Sequence, residues 1–396
     1  MKNLKTDALI LDLRHLTEET LAAYDKCELK TIIALTNSRT QTLMTQHGVE
    51  MDAVMSVVCE DDVEVSTLNG KITLDGTMTS GKKKAMVVNG KLYLKPDAGK
   101  VIDQYVVLAV NGKLYCPASL ASRVAGKCIV NGKLCTYPDE AVVLNATVRL
   151  DKGFQFRAQE RLYWAEKLFI AVDPKLDAAA LAAKGARFAS QKAILTEGNA
   201  EAMAPLFTED TELVILPEGT AVVEDDLEMS ASALRRYGSR LYVMGDVIVP
   251  ENAGDVLKKL EFLHAEGSVI LPAALEEAFG EIDELEYKEL RLLHGPAIIG
   301  KPMLRLGKEM LELYPEGITC MDCAMVQLDA ALEPDTIAKK LVFDGCAMVQ
   351  CTALQQNAVT AVSKDVAQIS VTDQDTQEAE KNERADVKLD ALILTL

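Results

Sequence analysis

Residues 88–93 of the chain read "VNGKLY", residues 110–115 read "VNGKLY" again, residues 130–135 read "VNGKLC" and residues 68–73 read "LNGKIT". The asparagines Asn69, Asn89, Asn111 and Asn131 are therefore 20, 22 and 20 positions apart. Asn-Gly between apolar runs marks a change of backbone direction, because glycine is at ease at positive φ and asparagine tolerates it. The dipeptide reads either as a hairpin turn, "VVLAV-NG-KLYC", or as a bend inside a longer extended segment. The period decides between them. Pro96, Pro117 and Pro138 follow the successive copies at similar distances, and isolated hairpins have no reason to recur with matched prolines. Each unit reads as one extended segment, a proline corner, and a short helical or turn segment leading back.

The pattern runs well beyond this block. "MGDVIVP" (244–250) and "EGSVILP" (266–272) align 22 positions apart, and "DCAMVQ" (322–327) returns as "GCAMVQ" (345–350) after 23. "TIIALT" (31–36) and "AVMSVV" (53–58) are again 22 apart. "LEFLH" (260–264) recurs as "LRLLH" (290–294) after 30 positions, which reads as a unit with an insertion and puts His264 and His294 at one repeat position. A period of about 20–25 residues is the signature of a solenoid. A single such unit cannot bury its apolar face; stacking copies puts Val over Val and Leu over Leu in a parallel sheet. The expected fold is an α/β repeat solenoid of stacked parallel strands with short helices or turns. As one elongated rod it would have about 15 rungs and a length of about 70 Å. Asparagines at one place in successive rungs can then form a side-chain ladder. The organisation expected is an N-terminal cap at 1–27, solenoid repeats at 28–370 (least regular at 140–240), an acidic linker at 371–386 and a C-terminal strand at 387–396.

The extended run, asparagine, leucine and proline of "VLAVNGKLYCPASL" (107–120) resemble leucine-rich repeats, as does "LKKLEFLHAEGSVILPAALEEAF" (257–279), which lacks the asparagine. Leu114 follows Asn111 by three positions, where the leucine-rich pattern has two, and the glycine after asparagine also departs from it. The chain as a whole is similar to a group of proteins of gut Clostridia built on "VNGKLY" units. The resemblance implies a leucine-rich-repeat-like solenoid and no particular activity.

Composition narrows the function. The chain of 396 residues is 49% apolar and 5% aromatic, with a net charge of −18. That charge argues against nucleic acid and anionic membrane surfaces as partners. Residues 1–16 carry five charges and no long apolar run, so a cytoplasmic protein is expected. Nine scattered cysteines fit reduced core thiols. The two ends share "DALIL", at 7–11 and 390–394. The second copy, with Leu392, Ile393 and Leu394, either folds back onto its own chain or adds to a neighbour's sheet edge, giving a homo-oligomer.

The candidate chemistry is sparse. "CMDC" (320–323) has metal spacing, but no further ligands accompany it, and Cys323 aligns with Cys346, so a buried thiol column is expected. His264 and His294 lack ligand partners at suitable spacing. "GKKK" (81–84) lacks the spacing of a phosphate loop. "EDD" at 60–62 and 224–226 reads as solvated corners rather than a calcium loop. Arg235 and Arg236 before Gly238 read as a helix C-terminus. Trp164 is expected to be partly buried where the repeat loses regularity. No catalytic, cofactor-binding or metal-binding residue is assigned, and no cofactor is expected. Lys91, Lys113 and Lys133 share one repeat position and should form a basic column suited to an acidic protein segment, including another copy's tail at 373–383. The expectation is a non-enzymatic scaffold or protein-interaction solenoid, binding a protein partner or itself. A leucine-rich-repeat-type module holding a ligand on its sheet face and a carbohydrate-active parallel β-helix enzyme are the alternatives.

Overall fold

The computed structural model describes residues 3–293, 295–315, 317–372 and 387–395. The chain is an α/β structure of many short parallel strands in stacked sheets, joined by short helices and turns. The first seven strands are β1 (Asn3–Asp12), β2 (Lys26–Thr36), β3 (Glu50–Val58), β4 (Glu64–Leu74), β5 (Lys84–Leu94), β6 (Tyr105–Pro117) and β7 (Cys128–Tyr137). Strands β4 to β7 form one parallel sheet in which the four "NGK" copies lie in register, Asn on Asn, Gly on Gly and Lys on Lys. The extended-rung reading therefore holds and the hairpin reading does not.

The register explains the repeated motif. Each asparagine Nδ2 donates to the Oδ1 of the asparagine one rung earlier, at 2.9, 2.9 and 3.4 Å from Asn89, Asn111 and Asn131. Gly112 has φ +132°, and a Cβ there would sit 2.1 Å from the carbonyl oxygen of Gly90. Gly90 and Gly132 are equally crowded by the preceding rung. Only glycine permits this close backbone approach.

Among the described residues the rungs form five groups of four, where the repeat pattern alone predicts one continuous stack. The first unit holds β1 to β3 with the C-terminal strand Val387–Thr395, and the second holds β4 to β7. The third, fourth and fifth span residues 142–216, 221–293 and 297–371, and most of their rungs are split by a bend into two short strands, as in Ile318–Met321 and Met325–Leu328. The physical reason lies in the faces. In "VVLAV" (106–110), Leu108 and Val110 point into the core of the second unit, while Val107 and Ala109 pack on Ile10, Ile33 and Leu35 of the first. A strand apolar on both faces needs a layer on each side. The same arrangement recurs with Tyr115, Tyr137 and Trp164 between the second and third units, and with Ile170, Ile194 and Tyr242 between the third and fourth. Each fully buried Val, Leu or Ile on such a seam contributes about 1.5–3 kcal/mol.

A buried arginine bridges the two sides of the first break between units. Arg14 forms a two-pronged ion pair with Asp12 at 2.9 and 2.8 Å and also donates to the carbonyls of Glu60 and Val63. These bonds tie the corner "CEDDV" between β3 and β4 to the segment that follows β1, and Asn37 Nδ2 fixes Asp61 at 2.8 Å.

One spacing from the sequence is corrected. Leu263 pairs with Leu285 and Val269 with Leu290, so neighbouring rungs here are 22 and 21 positions apart with no insertion. "LRLLH" is not the counterpart of "LEFLH", and His264 stands opposite Glu286; His294 lies outside the described residues.

Candidate interaction site

The lysine column is real as register: Lys91 pairs with Lys113 and Lys113 with Lys133. Lys91 is exposed. The other two turn onto a carboxylate of their own chain. Glu166, at the bend between the strands Leu162–Trp164 and Leu168–Ala171, accepts Lys113 Nζ at 2.8 Å on both oxygens and Lys133 Nζ at 2.9 Å. Tyr115 OH donates to it at 2.7 Å. The Glu166 side chain is 2% exposed. Burial works against its charge, but the hydrogen bonds from Lys113, Tyr115 and Lys133 outweigh it and hold the carboxyl down to about 2. Burial, reinforced by the bond to Glu166, pushes the Tyr115 phenol up. Lys113 and Lys133 thus clip the second unit to the third, and among the described residues Lys91 is the open member of the predicted trio.

Related clips occupy other seams. Lys192 Nζ meets Glu266 at 2.7 Å, and Tyr242 OH donates to the same carboxylate. Arg291 reaches from the fourth unit to Asp322 at 2.7 Å and Asp344 at 3.2 Å in the fifth. Nothing in the repeat motif announces these carboxylates. The available signal was a glutamate inside an apolar run, as in "WAEKLFIA" (164–171), where an unpaired charge would be costly.

Cys320, Cys323, Cys346 and Cys351 are buried free thiols in the core of the fifth unit, with Cys346 Sγ 3.4 Å from the Cys320 carbonyl. Burial raises the thiols of Cys320, Cys346 and Cys351. Among the described residues no group of His, Cys, Asp and Glu is arranged to hold a metal. His264 lies 4.6 Å from the Tyr242 ring and 3.0 Å from Glu286. Lys82 of "GKKK" pairs with Glu64 at 2.9 Å. The second "EDD" lines a groove of about 920 Å³ between the third and fourth units, where Glu224 is already bound by Arg149 at 2.8 Å. Arg235 and Arg236 close the helix Ala231–Tyr237, which ends at Gly238 with φ +89°. Trp164 is 9% exposed, between Tyr115 and Tyr137. No described helix is long and apolar enough to cross a membrane.

The shared "DALIL" has the clearest structural outcome. The C-terminal strand lies parallel to β1, with Asp7 opposite Asp390, Ala8 opposite Ala391, Ile10 opposite Ile393 and Leu11 opposite Leu394. The pairing skips Leu9 and Leu392, as the pairing of β1 with β2 skips Leu9 and Ile32. Leu394 packs against the core of the first unit. The linker residues 373–386, and with them the acidic segment 373–383, lie outside the described residues. Comparison with known proteins finds no match: no family model, no curated protein and no solved structure aligns significantly with the chain.

Proposed function

We propose that this chain is a non-catalytic scaffold that binds protein, including copies of itself, by strand addition at its first unit. The observation that carries the reading is the in-register pairing of the last strand on β1. The first and last strands of the chain share one sheet, and the edge of β1 accepts a strand of its own sequence. Backbone hydrogen bonds supply affinity in such additions and alternate side chains supply selectivity. A tail that docks on its own β1 in one molecule can dock on a neighbour's β1 by exchange, since the contacts are the same. Stacked units with apolar seams give the rigid body that a scaffold requires.

The test is a chain ending at residue 386, mixed with a labelled peptide of residues 384–396 and followed by fluorescence anisotropy. Saturable binding, abolished by proline at Ala391 of the peptide, is expected. Light scattering on the full and shortened chains then reports whether exchange builds larger species. A shortened chain that ignores the peptide would remove the basis of the proposal.

A further inference from the structure

We propose that β3, at the opposite edge of the first sheet, is the contact edge of a symmetric dimer, pairing antiparallel with β3 of a second copy about an axis at Val54. This goes beyond strand addition at β1 and does not depend on the C-terminal strand.

The sheet order is C-terminal strand, β1, β2, β3, so among the described residues no strand lies on the outer side of β3. Its side chains are also uncovered: Val54 is 80% exposed, Val58 59%, Met55 41% and Met51 37%. Met51 lies next to Leu29 and Met55 next to Ile33 in the ladder, both fully buried one rung earlier. The apolar columns of the unit thus run out into solvent at β3. Edge strands are normally protected by lysine, proline, a polar rim or a covering segment. The nearby edges β4 and β7 carry the Asn-Gly-Lys triplet, whereas β3, "EMDAVMSVV", has no lysine, glycine or proline.

A second copy is the occupant that this edge fits. The pairing of the first sheet skips Leu9, Ile32 and Val54, where the rungs turn a corner between the unit's own core and the seam. Two such strands can lie side by side in opposite directions only if the corners coincide, which puts Val54 opposite Val54. Met51 then faces Val57, Ala53 faces Met55, Asp52 faces Ser56 and Glu50 faces Val58. Apolar residues meet apolar ones across the corner. At about 3.4 Å per residue the two Asp52 carboxylates stand about 14 Å apart along the strands, beyond the screening length of about 8 Å at physiological salt. Glu50 is already paired with Lys26 at 3.0 Å. A chain of net charge −18 can approach itself along this edge without opposing like charges.

Single cysteines at positions 52, 54 and 56 in a Cys59→Ser background test the register. Directly opposed strand residues have Cα atoms about 4.5–5.5 Å apart, within disulfide reach. Under mild oxidation V54C should crosslink to a covalent dimer at least roughly tenfold faster than D52C or S56C, whose mates are out of reach. Sedimentation of the otherwise unaltered chain at about 100 μM, above a micromolar Kd, should show a dimer that Val54→Asp reduces to monomer. Val54 is mostly in solvent, so this change leaves the fold intact, and the crosslinking assay stands even if it does not. Equal or absent crosslinking at the three positions, a wild-type monomer at that concentration, or a dimer indifferent to V54D would each overturn the proposal. Shortening the chain at residue 386 should leave this dimer in place, which separates it from assembly through the C-terminal strand.

Discussion

Glu166→Gln should weaken the seam between the second and third units, and the cost should disappear in acid. Holding a carboxyl that ordinarily titrates near 4.5 down to about 2 corresponds to about 3 kcal/mol, at 1.36 kcal/mol per pH unit. Gln keeps the shape and still accepts from Tyr115, but it offers no charge to Lys113 and Lys133. Those lysines are partly solvated, with side chains 31% and 48% exposed, so they reach water and add little further penalty. A loss of about 2–3 kcal/mol at neutral pH is expected. The sign follows from the lowered carboxyl. Its stabilisation is fully present above 4.5, the unfolded value, and is lost as pH falls through about 2. The difference between wild type and E166Q should therefore stay constant from pH 7 to about 5 and vanish by about pH 2. Comparing the two chains at each pH cancels the other carboxylates, which titrate in both. The chain carries its own probe: Trp164, its one tryptophan, lies at this seam with ring centres of Tyr137 and Tyr115 at 5.8 and 6.2 Å. Urea titrations followed by tryptophan emission measure the local transition. A pH-independent difference, or a variant as stable as wild type at pH 7, would refute the reasoning.

Gly112→Ala should disrupt the second unit by more than about 3 kcal/mol, since its positive φ and the 2.1 Å approach to the Gly90 carbonyl leave the methyl no room; circular dichroism on heating reads the loss. Asn111→Ala removes two ladder hydrogen bonds and should cost about 1–3 kcal/mol by denaturant titration. Of the nine free thiols, seven are buried and only Cys59 and Cys128 are partly open, so a thiol reagent should modify at most those two in the native chain and all nine in denaturant. Full reaction of the native chain would contradict the buried thiol core.

The parts of the fold that rest on repetition were legible in the sequence. The rung period, the Asn, Gly and Lys columns and the alignment of Cys323 with Cys346 follow from repetition, because stacked copies align like with like; the pairing of the second "DALIL" on the first was one of two outcomes the sequence left open. The division into units was not read, although "VVLAV" carried a sign of it: an unbroken apolar run needs burial on both faces. Where each stack ends depends on distant partners, such as Arg14 gripping the Glu60 and Val63 carbonyls, and no repeat encodes these. Glu166 escaped for the same reason. Its partners Lys113, Tyr115 and Lys133 are 53, 51 and 33 positions away (166 − 113, 166 − 115, 166 − 133), and each lies in a motif whose own periodicity hides the exception.

The asparagine ladder also has a direction. Every amide donates towards the preceding rung, so the side-chain dipoles align head to tail and polarise one another. Among the described residues the array ends with an open acceptor at Asn131 and an open donor at Asn69, and its three links repeat one arrangement. A duplicated stretch of about 20–22 residues, inserted anywhere within the second unit, would enter with the same polarity, the same glycine contact and the same column of side chains. Within the sheet itself, length is therefore open to change by whole rungs, and it is the seams with the first and third units, Lys113 and Lys133 on Glu166 among them, that hold it at four.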